Sequence, residues 1–106
     1  MSRARLAALA VMLALGLDAC EQPALSPEAQ RGRQVYQGTC TSCHSSDPGQ
    51  AGPVGPELRG ASRELLEAKV LRGAYPPGYR PKRSTAIMPP QPQVASDIPA
   101  LAAYLK

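Results

Sequence analysis

Cys40-Thr41-Ser42-Cys43-His44 is the segment around which the rest of this chain can be interpreted. Two thiols three positions apart, followed directly by an imidazole, form the pattern that attaches a c-type haem. One turn of backbone presents both sulfurs to the vinyl groups on one edge of the porphyrin, and the next residue offers a nitrogen to the iron. The pattern predicts covalent haem c on Cys40 and Cys43, with His44 as one axial ligand.

The cysteine pair has two other interpretations. A structural zinc site needs four Cys or His ligands, and the chain offers only Cys40, Cys43, His44 and Cys20. A redox-active Cys-x-x-Cys pair belongs next to a strand in an α/β fold, and this sequence has no alternating strand pattern. Haem binding is therefore favoured, with zinc binding and dithiol chemistry as the alternatives.

The composition leaves little material for a hydrophobic core. The chain has no Trp or Phe and only 4 Tyr, against 12 Pro and 9 Gly. Domains of this size bury only about 60–65% of their unfolded surface, so a large flat apolar cofactor would supply the missing core. The formal net charge of +4 is mildly basic. Without interleaved aromatic residues it does not indicate a nucleic-acid partner.

The amino-terminal residues have the pattern of an export signal. Arg3 and Arg5 precede an unbroken apolar run from Leu6 to Leu17. The run is shorter than the about 20 residues that a membrane-spanning helix needs, and it suits the apolar region of a secretory signal peptide. Residues 1–19 are therefore predicted to be a signal peptide.

The segment Leu17-Asp18-Ala19-Cys20 resembles the lipobox of bacterial lipoproteins, from which Asp18 departs because a small uncharged residue is usual there. The resemblance implies lipid attachment to Cys20, with residues 20–26 as a tether. The domain would then be held on the periplasmic side of a bacterial membrane. The alternative is ordinary cleavage after Ala19, which would leave a soluble periplasmic protein.

Three segments have helical patterns. Ser26-Pro27-Glu28 combines an N-cap, a first-turn proline and an acid, and predicts a helix ending near Thr39. Ser62-Arg63-Glu64 begins a second helix, and Ser96-Asp97 is predicted to cap a third. A proline-rich segment after the second helix is expected to wrap a surface. The predicted apolar faces are Ala29, Gly32, Val35 and Tyr36, then Leu65, Leu66, Lys69 and Val70, then Ile98, Leu101, Tyr104 and Leu105.

Met88 is the candidate for the second axial ligand, since Met1 and Met12 fall in the predicted signal peptide. A thioether is a common partner of His on haem iron and raises the reduction potential. The prolines that follow Met88 restrict its backbone. An isolated Met is more often a core filler, but the nearby haem motif favours ligation.

With these features, the chain resembles a class I cytochrome c. The segment Gly55-Pro56-Glu57-Leu58-Arg59-Gly60 is similar to the family's Gly-Pro-x-Leu-x-Gly motif. The resemblance implies that the Pro56 carbonyl accepts a hydrogen bond from Nδ1 of His44, leaving Nε2 for iron, and that Leu58 packs on the haem. The resemblance extends over residues 27–106, which form the predicted cytochrome c domain. Within this range, residues 75–86 match no feature of the family.

The resemblance also implies an architecture. Gly32 and Tyr36 are similar to the family's helix-crossing pair, with Leu101 and Tyr104 as their partners on the last helix. The expected fold is therefore all-α and small, with three helices wrapped around one covalently attached haem.

The implied function is one-electron transfer with His44 and Met88 as axial ligands. With the single histidine committed to iron, no general base remains, so the chain is expected to be a carrier rather than an enzyme, alone or as a subunit of an oxidoreductase system. Implied partners are an oxidase subunit or a dehydrogenase domain. A cluster ahead of Met88 is hypothesised to steer acidic partners; it comprises Arg72, Arg80, Lys82 and Arg83.

The alternative function keeps the haem but changes its use. If Met88 is displaceable, the protein would be a ligand-binding or catalytic haem protein, such as a gas sensor or a peroxidase-like enzyme. Uptake of cyanide or carbon monoxide by the iron separates this hypothesis from the carrier.

Overall fold

The structure, a computed structural model, describes residues 24–84 and 87–106. Over these two ranges it contains helices and loops and no strand, which confirms the predicted all-α class. Its elements are α1 (Pro27–Thr39), α2 (Arg63–Leu66) continued by a π-helical turn (Glu67–Leu71), a 3₁₀-helix (Pro92–Asp97) and α3 (Ile98–Leu105).

Several predictions concern the amino terminus. The predicted signal peptide over residues 1–19 and the lipid-attachment residue Cys20 lie outside the described residues, and only residues 24–26 of the tether lie within them. In the part of the chain that the structure describes, every helix is too short or too polar to span a bilayer.

Helix α1 begins where the local chemistry predicts. The Ser26 hydroxyl accepts a hydrogen bond from the Ala29 N–H at 3.1 Å, and Pro27 takes the first turn, where no N–H partner is needed. At the other end, the N–H of Cys40 donates to the Tyr36 carbonyl at 2.9 Å. The helix therefore leads directly into the cysteine motif. All four residues of its predicted apolar face are buried.

Helices α1 and α3 cross with their backbones in direct contact at Gly32. A Cβ atom at this position would overlap the Ala100 carbonyl and lie 2.9 Å from Cβ of Tyr104. The rings of Tyr36 and Tyr104 fill the rest of the crossing, with centroids 5.7 Å apart and planes tilted by 55°, an arrangement that aromatic pairs prefer. Leu101 is buried in the same core cluster. The crossing implied by the resemblance is confirmed.

Asp97 occupies the predicted N-cap position of α3, but not with the side-chain contact expected of a cap. Asp97 precedes α3, but its side chain makes no capping hydrogen bond. Its carboxylate instead accepts two hydrogen bonds from the Arg31 guanidinium of α1, at 3.0 and 3.1 Å. A guanidinium can hold both oxygens of a carboxylate at once, so Asp97 ties α3 to α1 instead of capping its own helix.

The second helix has its predicted start, but its second half has a helical form that the sequence did not predict. The Ser62 hydroxyl accepts a hydrogen bond from the Leu65 N–H at 3.1 Å, as an N-cap does. From Glu67 to Leu71 the backbone widens into a π-helical turn. Such turns are often found at functional sites, and Leu65, Leu66, Lys69 and Val70 line the cleft described below.

The buried hydroxyl of Tyr36 gives a prediction about stability at alkaline pH. It donates to the Ser45 carbonyl, and burial raises the pKa of Tyr36 to about 12. Because this pKa is above the unfolded value of about 10, the stabilising contribution is complete below pH ~10 and is lost as the pH rises towards 12. We expect Tyr36→Phe to cost about 1 kcal/mol at neutral pH through the lost hydrogen bond.

The same variant should lose less of its unfolding free energy than the wild type between neutral pH and strongly alkaline pH. Guanidinium unfolding at several pH values measures the slope of unfolding free energy against pH for the wild type and for the variant. Equal slopes would show that Tyr36 does not resist ionisation in the folded protein.

Candidate functional site

One apolar cleft brings together all the predicted haem-site residues. Its volume is about 270 Å³, and its walls come from all three helices, the loop after His44 and the segment around Met88. The predicted haem-binding residues that line it are Cys40, Cys43, His44, Pro56, Leu58 and Met88.

The two cysteines follow α1 on one further turn of backbone. The N–H groups of Cys43 and His44 both donate to the Cys40 carbonyl, at 3.3 and 2.9 Å. Cys40 and Cys43 are both free thiols, partly buried, and both line the cleft. This local turn places both sulfurs and the imidazole at the same cavity, as the spacing predicts.

The environment of Cys40 argues against dithiol redox chemistry. Burial raises the pKa of the Cys40 thiol to about 11. The attacking cysteine of a redox pair needs a lowered pKa, because the thiolate is the reactive form, so burial disfavours Cys40 in that role. The zinc alternative gains no support either, since within residues 24–84 and 87–106 no three His, Cys, Asp or Glu side chains gather as metal ligands would.

His44 is buried and has one ring nitrogen already engaged. Its side chain is only 7% exposed, and Nδ1 lies 2.8 Å from the Pro56 carbonyl oxygen. A carbonyl can only accept, so Nδ1 carries a proton, and in the neutral imidazole Nε2 is then the nitrogen with a free lone pair. The contact that the resemblance implied is therefore present.

The loop that carries Pro56 is folded tightly against His44. The N–H groups of Val54 and Gly55 both donate to the Cys43 carbonyl, at 3.2 and 2.8 Å. A Cβ atom at Gly55 would collide with the imidazole ring and lie 2.8 Å from Nε2. Only glycine lets the backbone approach the ring this closely, which explains why Gly55 precedes Pro56.

Met88 is partly buried and packs against the hydrophobic core. The segment after it is attached to the π-helical turn, because the Gln91 N–H donates to the Val70 carbonyl at 2.6 Å. Pro90 also lies against Gly73, whose Cβ atom would be 3.3 Å from Cγ of Pro90. The loop of Met88 is thus anchored on the π-helical turn and on Gly73 after it, which the sequence pattern did not reveal.

Residues 75–84, which we call the strap, supply lining residues that the sequence pattern did not reveal. Tyr75 and Tyr79 stack with ring centroids 5.4 Å apart and planes 11° from parallel, and Nζ of Lys69 lies 4.2 Å from the Tyr75 centroid. All three line the cleft. The four-residue spacing of the tyrosines was the one available signal, but the surrounding prolines obscured any periodicity.

Two cations of the predicted steering cluster have structural partners. Lys82 donates to the Glu57 carbonyl at 3.0 Å and forms an ion pair with its carboxylate at 3.2 Å. Arg83 donates to the carbonyls of Val54 and Gly52. Their side chains hold the loop that follows His44, so the hypothesis of a free cationic cluster applies at most to Arg72 and Arg80, which are exposed.

The residues of the cleft suit an iron porphyrin better than a bare metal ion. The cavity lining is mostly apolar and includes two thiols, with one imidazole and one thioether as possible iron ligands. A porphyrin supplies four equatorial nitrogens, so only two axial donors are needed from the protein. The donor set and the apolar walls therefore fit haem c.

Comparison with known proteins agrees with this fit. The family model described as cytochrome C oxidase, cbb3-type, subunit III matches residues 27–105. Cytochrome c-554(548) of Halomonas halodenitrificans is 39% identical over 69 residues, covering 63% of this chain and 81% of that protein. No solved structure matches the chain. The chain therefore belongs to the class I monohaem c-type cytochromes, which carry a covalently bound haem c with its iron.

Proposed function

We propose that this protein is a one-electron carrier in which Nε2 of His44 and the sulfur of Met88 are the axial ligands of haem c iron. The observation that supports this most directly is the His44–Pro56 hydrogen bond at 2.8 Å. It leaves Nε2 as the available donor in the same cleft that Met88 lines. When bound, the haem supplies a reversible Fe(III)/Fe(II) couple.

The chain's own residues would hold and tune the cofactor. Cys40 and Cys43 would attach it, Leu58 would pack on it, and the Pro56 carbonyl would fix the imidazole and increase its donor strength. Met88 would favour the reduced state through its soft sulfur. With both axial positions filled by the protein, little rearrangement would accompany electron transfer.

Exposed residues at the cleft suggest where a redox partner docks. Val54, Tyr75 and Ile87 all line the cleft and are 45%, 40% and 94% exposed. These apolar residues, together with the exposed cations Arg72 and Arg80, would suit an acidic redox protein, such as an oxidase subunit or a dehydrogenase domain. The family match to an oxidase subunit supports a partner within a respiratory complex.

Spectroscopy of the mature holoprotein tests the function. We expect a pyridine haemochrome spectrum of thioether-linked haem, a weak near-infrared band from the Met–iron bond in the ferric state, and a reversible one-electron potential. High-spin ferric iron that binds cyanide or carbon monoxide rapidly would instead indicate the ligand-binding or catalytic alternative.

The location of the domain is a separate proposal. We propose that residues 1–19 are removed as a signal peptide, and that lipidated Cys20 and a tether over residues 20–26 hold the 27–106 domain on the periplasmic side of a bacterial membrane. The mass of the amino-terminal peptide measures the lipid, and Cys20→Ser should release the protein from membranes. An unmodified Cys20 in the soluble periplasmic fraction would support ordinary cleavage instead.

Gly73 gives a prediction about the Met88 loop. Its φ of +64° costs about 1–2 kcal/mol for a residue with a side chain, and its Cβ atom would press on Pro90 at 3.3 Å. We expect Gly73→Ala to lower stability by this amount and also to weaken the Met–iron band, because Pro90 lies only two residues after Met88 in the same loop.

Gly78→Ala is the matched control. Gly78 has a φ of +78°, but a Cβ atom there would have no neighbour within 4 Å. The control should lose similar stability in guanidinium unfolding while its near-infrared band stays unchanged. The same spectral loss in both variants would show that the Gly73–Pro90 contact does not hold the Met88 loop.

A further inference from the structure

The loop of residues 52–57, which we call the His44 loop, positions the acceptor for Nδ1 of His44. It is closed by a hydrogen bond from the Gly52 N–H to the Gly55 carbonyl at 2.9 Å, and it is attached to Cys43 through two N–H groups. The Pro56 carbonyl that binds His44 belongs to this loop. Anything that holds the loop therefore also holds the imidazole.

The strap, which comes much later in the chain, contacts this loop through two side chains. Nη1 of Arg83 donates to the Val54 carbonyl at 2.7 Å and Nη2 donates to the Gly52 carbonyl at 3.2 Å. Nζ of Lys82 donates to the Glu57 carbonyl at 3.0 Å. These three carbonyls lie on both sides of Pro56 in sequence, so two consecutive strap residues fasten the loop before and after its functional carbonyl.

We propose that Arg83, assisted by Lys82, is a positioning residue for His44, acting through the His44 loop to keep the Pro56 carbonyl on Nδ1. A planar guanidinium donates from separate nitrogens along two fixed directions, so it holds two carbonyls of one loop in a defined geometry, whereas a lysine ammonium is a point donor on a flexible stem. The His44–Pro56 bond makes the imidazole a stronger donor, which stabilises Fe(III). This inference rests on the proposed ligation of iron by His44.

Arg83 would affect the reduction potential in two opposite ways, which makes the proposal testable. Its positive charge near the cleft disfavours Fe(III) and raises the potential. Its hydrogen bonds to the His44 loop strengthen the bond between Nδ1 of His44 and the Pro56 carbonyl, which lowers the potential. Arg83→Lys keeps the charge and loses the two-point contact, whereas Arg83→Gln loses both.

The experiment uses the mature holoprotein and two readouts. The first is hydrogen exchange of the His44 Nδ1–H, followed by NMR in the diamagnetic ferrous state, and the second is the reduction potential. We expect Arg83→Lys to accelerate this exchange about threefold to tenfold, as the weakening of one hydrogen bond would, and to raise the potential. Arg80→Lys is the matched control, since Arg80 is an exposed residue of the strap, and it should change neither.

The opposite result would overturn the proposal. If Arg83→Lys matches the wild type in both readouts while Arg83→Gln lowers the potential, then Arg83 acts by charge alone. Lys82→Gln provides a second test if the Arg83 variants fold poorly. It removes the contact with Glu57 and should accelerate the same exchange by a smaller factor; an unchanged exchange rate in this variant would also contradict the proposal.

The proton NMR spectrum of the wild type separates this inference from the proposed function. If His44 binds the iron, the haem ring current moves its ring protons strongly upfield in the ferrous protein. Ordinary histidine shifts in the wild type would refute the ligation itself. Upfield shifts that are present in all variants, with no change in Nδ1–H exchange, would refute only the role of Arg83.

Discussion

Replacement of Met88 by alanine is expected to cause the largest functional change of any single substitution in this chain. Loss of the sulfur should abolish the near-infrared Met–iron band and open the iron to cyanide and carbon monoxide. The potential should fall by a few tenths of a volt, a fraction of the roughly 0.8 V range over which axial ligands tune haem iron. Potentiometric titration and absorption spectra measure these changes.

Two further substitutions separate ligation from packing at this position. Met88 packs against the core, and Leu has a similar volume without a donor sulfur, so Met88→Leu should restore stability but neither the band nor the potential. Ile87→Ala changes the adjacent side chain, which is 94% exposed, and should leave the spectrum unchanged. A normal band and potential in Met88→Leu would mean that Met88 is a core filler and another group binds the iron.

The largest loss of stability is expected from Gly32→Ala. The new Cβ atom would overlap the Ala100 carbonyl, which belongs to the backbone of α3 and cannot rotate away. Overpacking of this kind costs about 1–3 kcal/mol, occasionally more, and we expect the upper end of that range. The helices must separate, which would also loosen the Tyr36–Tyr104 contact.

Gly38→Ala tests the same substitution in the same helix without the contact. Gly38 lies in α1 and a Cβ atom there would have no neighbour within 4 Å. Alanine is favoured over glycine inside a helix by about 0.5–1 kcal/mol, so this variant should be slightly more stable. Guanidinium unfolding of both holoproteins measures the difference. Equal effects at the two positions would show that the helices do not meet at Gly32.

Local chemistry explains why the helix starts could be predicted. Ser26 and Ser62 cap through contacts within three residues, so the sequence alone contains both partners. Asp97 shows the limit of this reasoning. Its carboxylate could cap the N–H groups of α3 or pair with Arg31, which is 66 positions away. Only the packing of α1 against α3 brings Arg31 within reach.

The strap is the clearest case in which sequence patterns were insufficient. Its residues have no apolar periodicity, and Arg83 finds its acceptors 29 and 31 positions earlier in the chain. The charges near Met88 therefore suggested a free cationic surface, whereas two of them hold the His44 loop. The π-helical turn that anchors the segment after Met88 was equally invisible, because no residue type specifies it.

By itself, the sequence predicted the class of fold, the positions of the three helices and the six candidate haem-binding residues that the structure brings together in one cleft, since each depends on short spacings, helix caps or a residue type that occurs once. The tertiary structure alone decided which side chains hold the His44 loop, how the Met88 loop is anchored and where Arg31 finds its partner. The physical reason is the range of the interactions. Caps and motifs act within one turn of chain, whereas these contacts form only after irregular segments have followed a path that the packed helices allow.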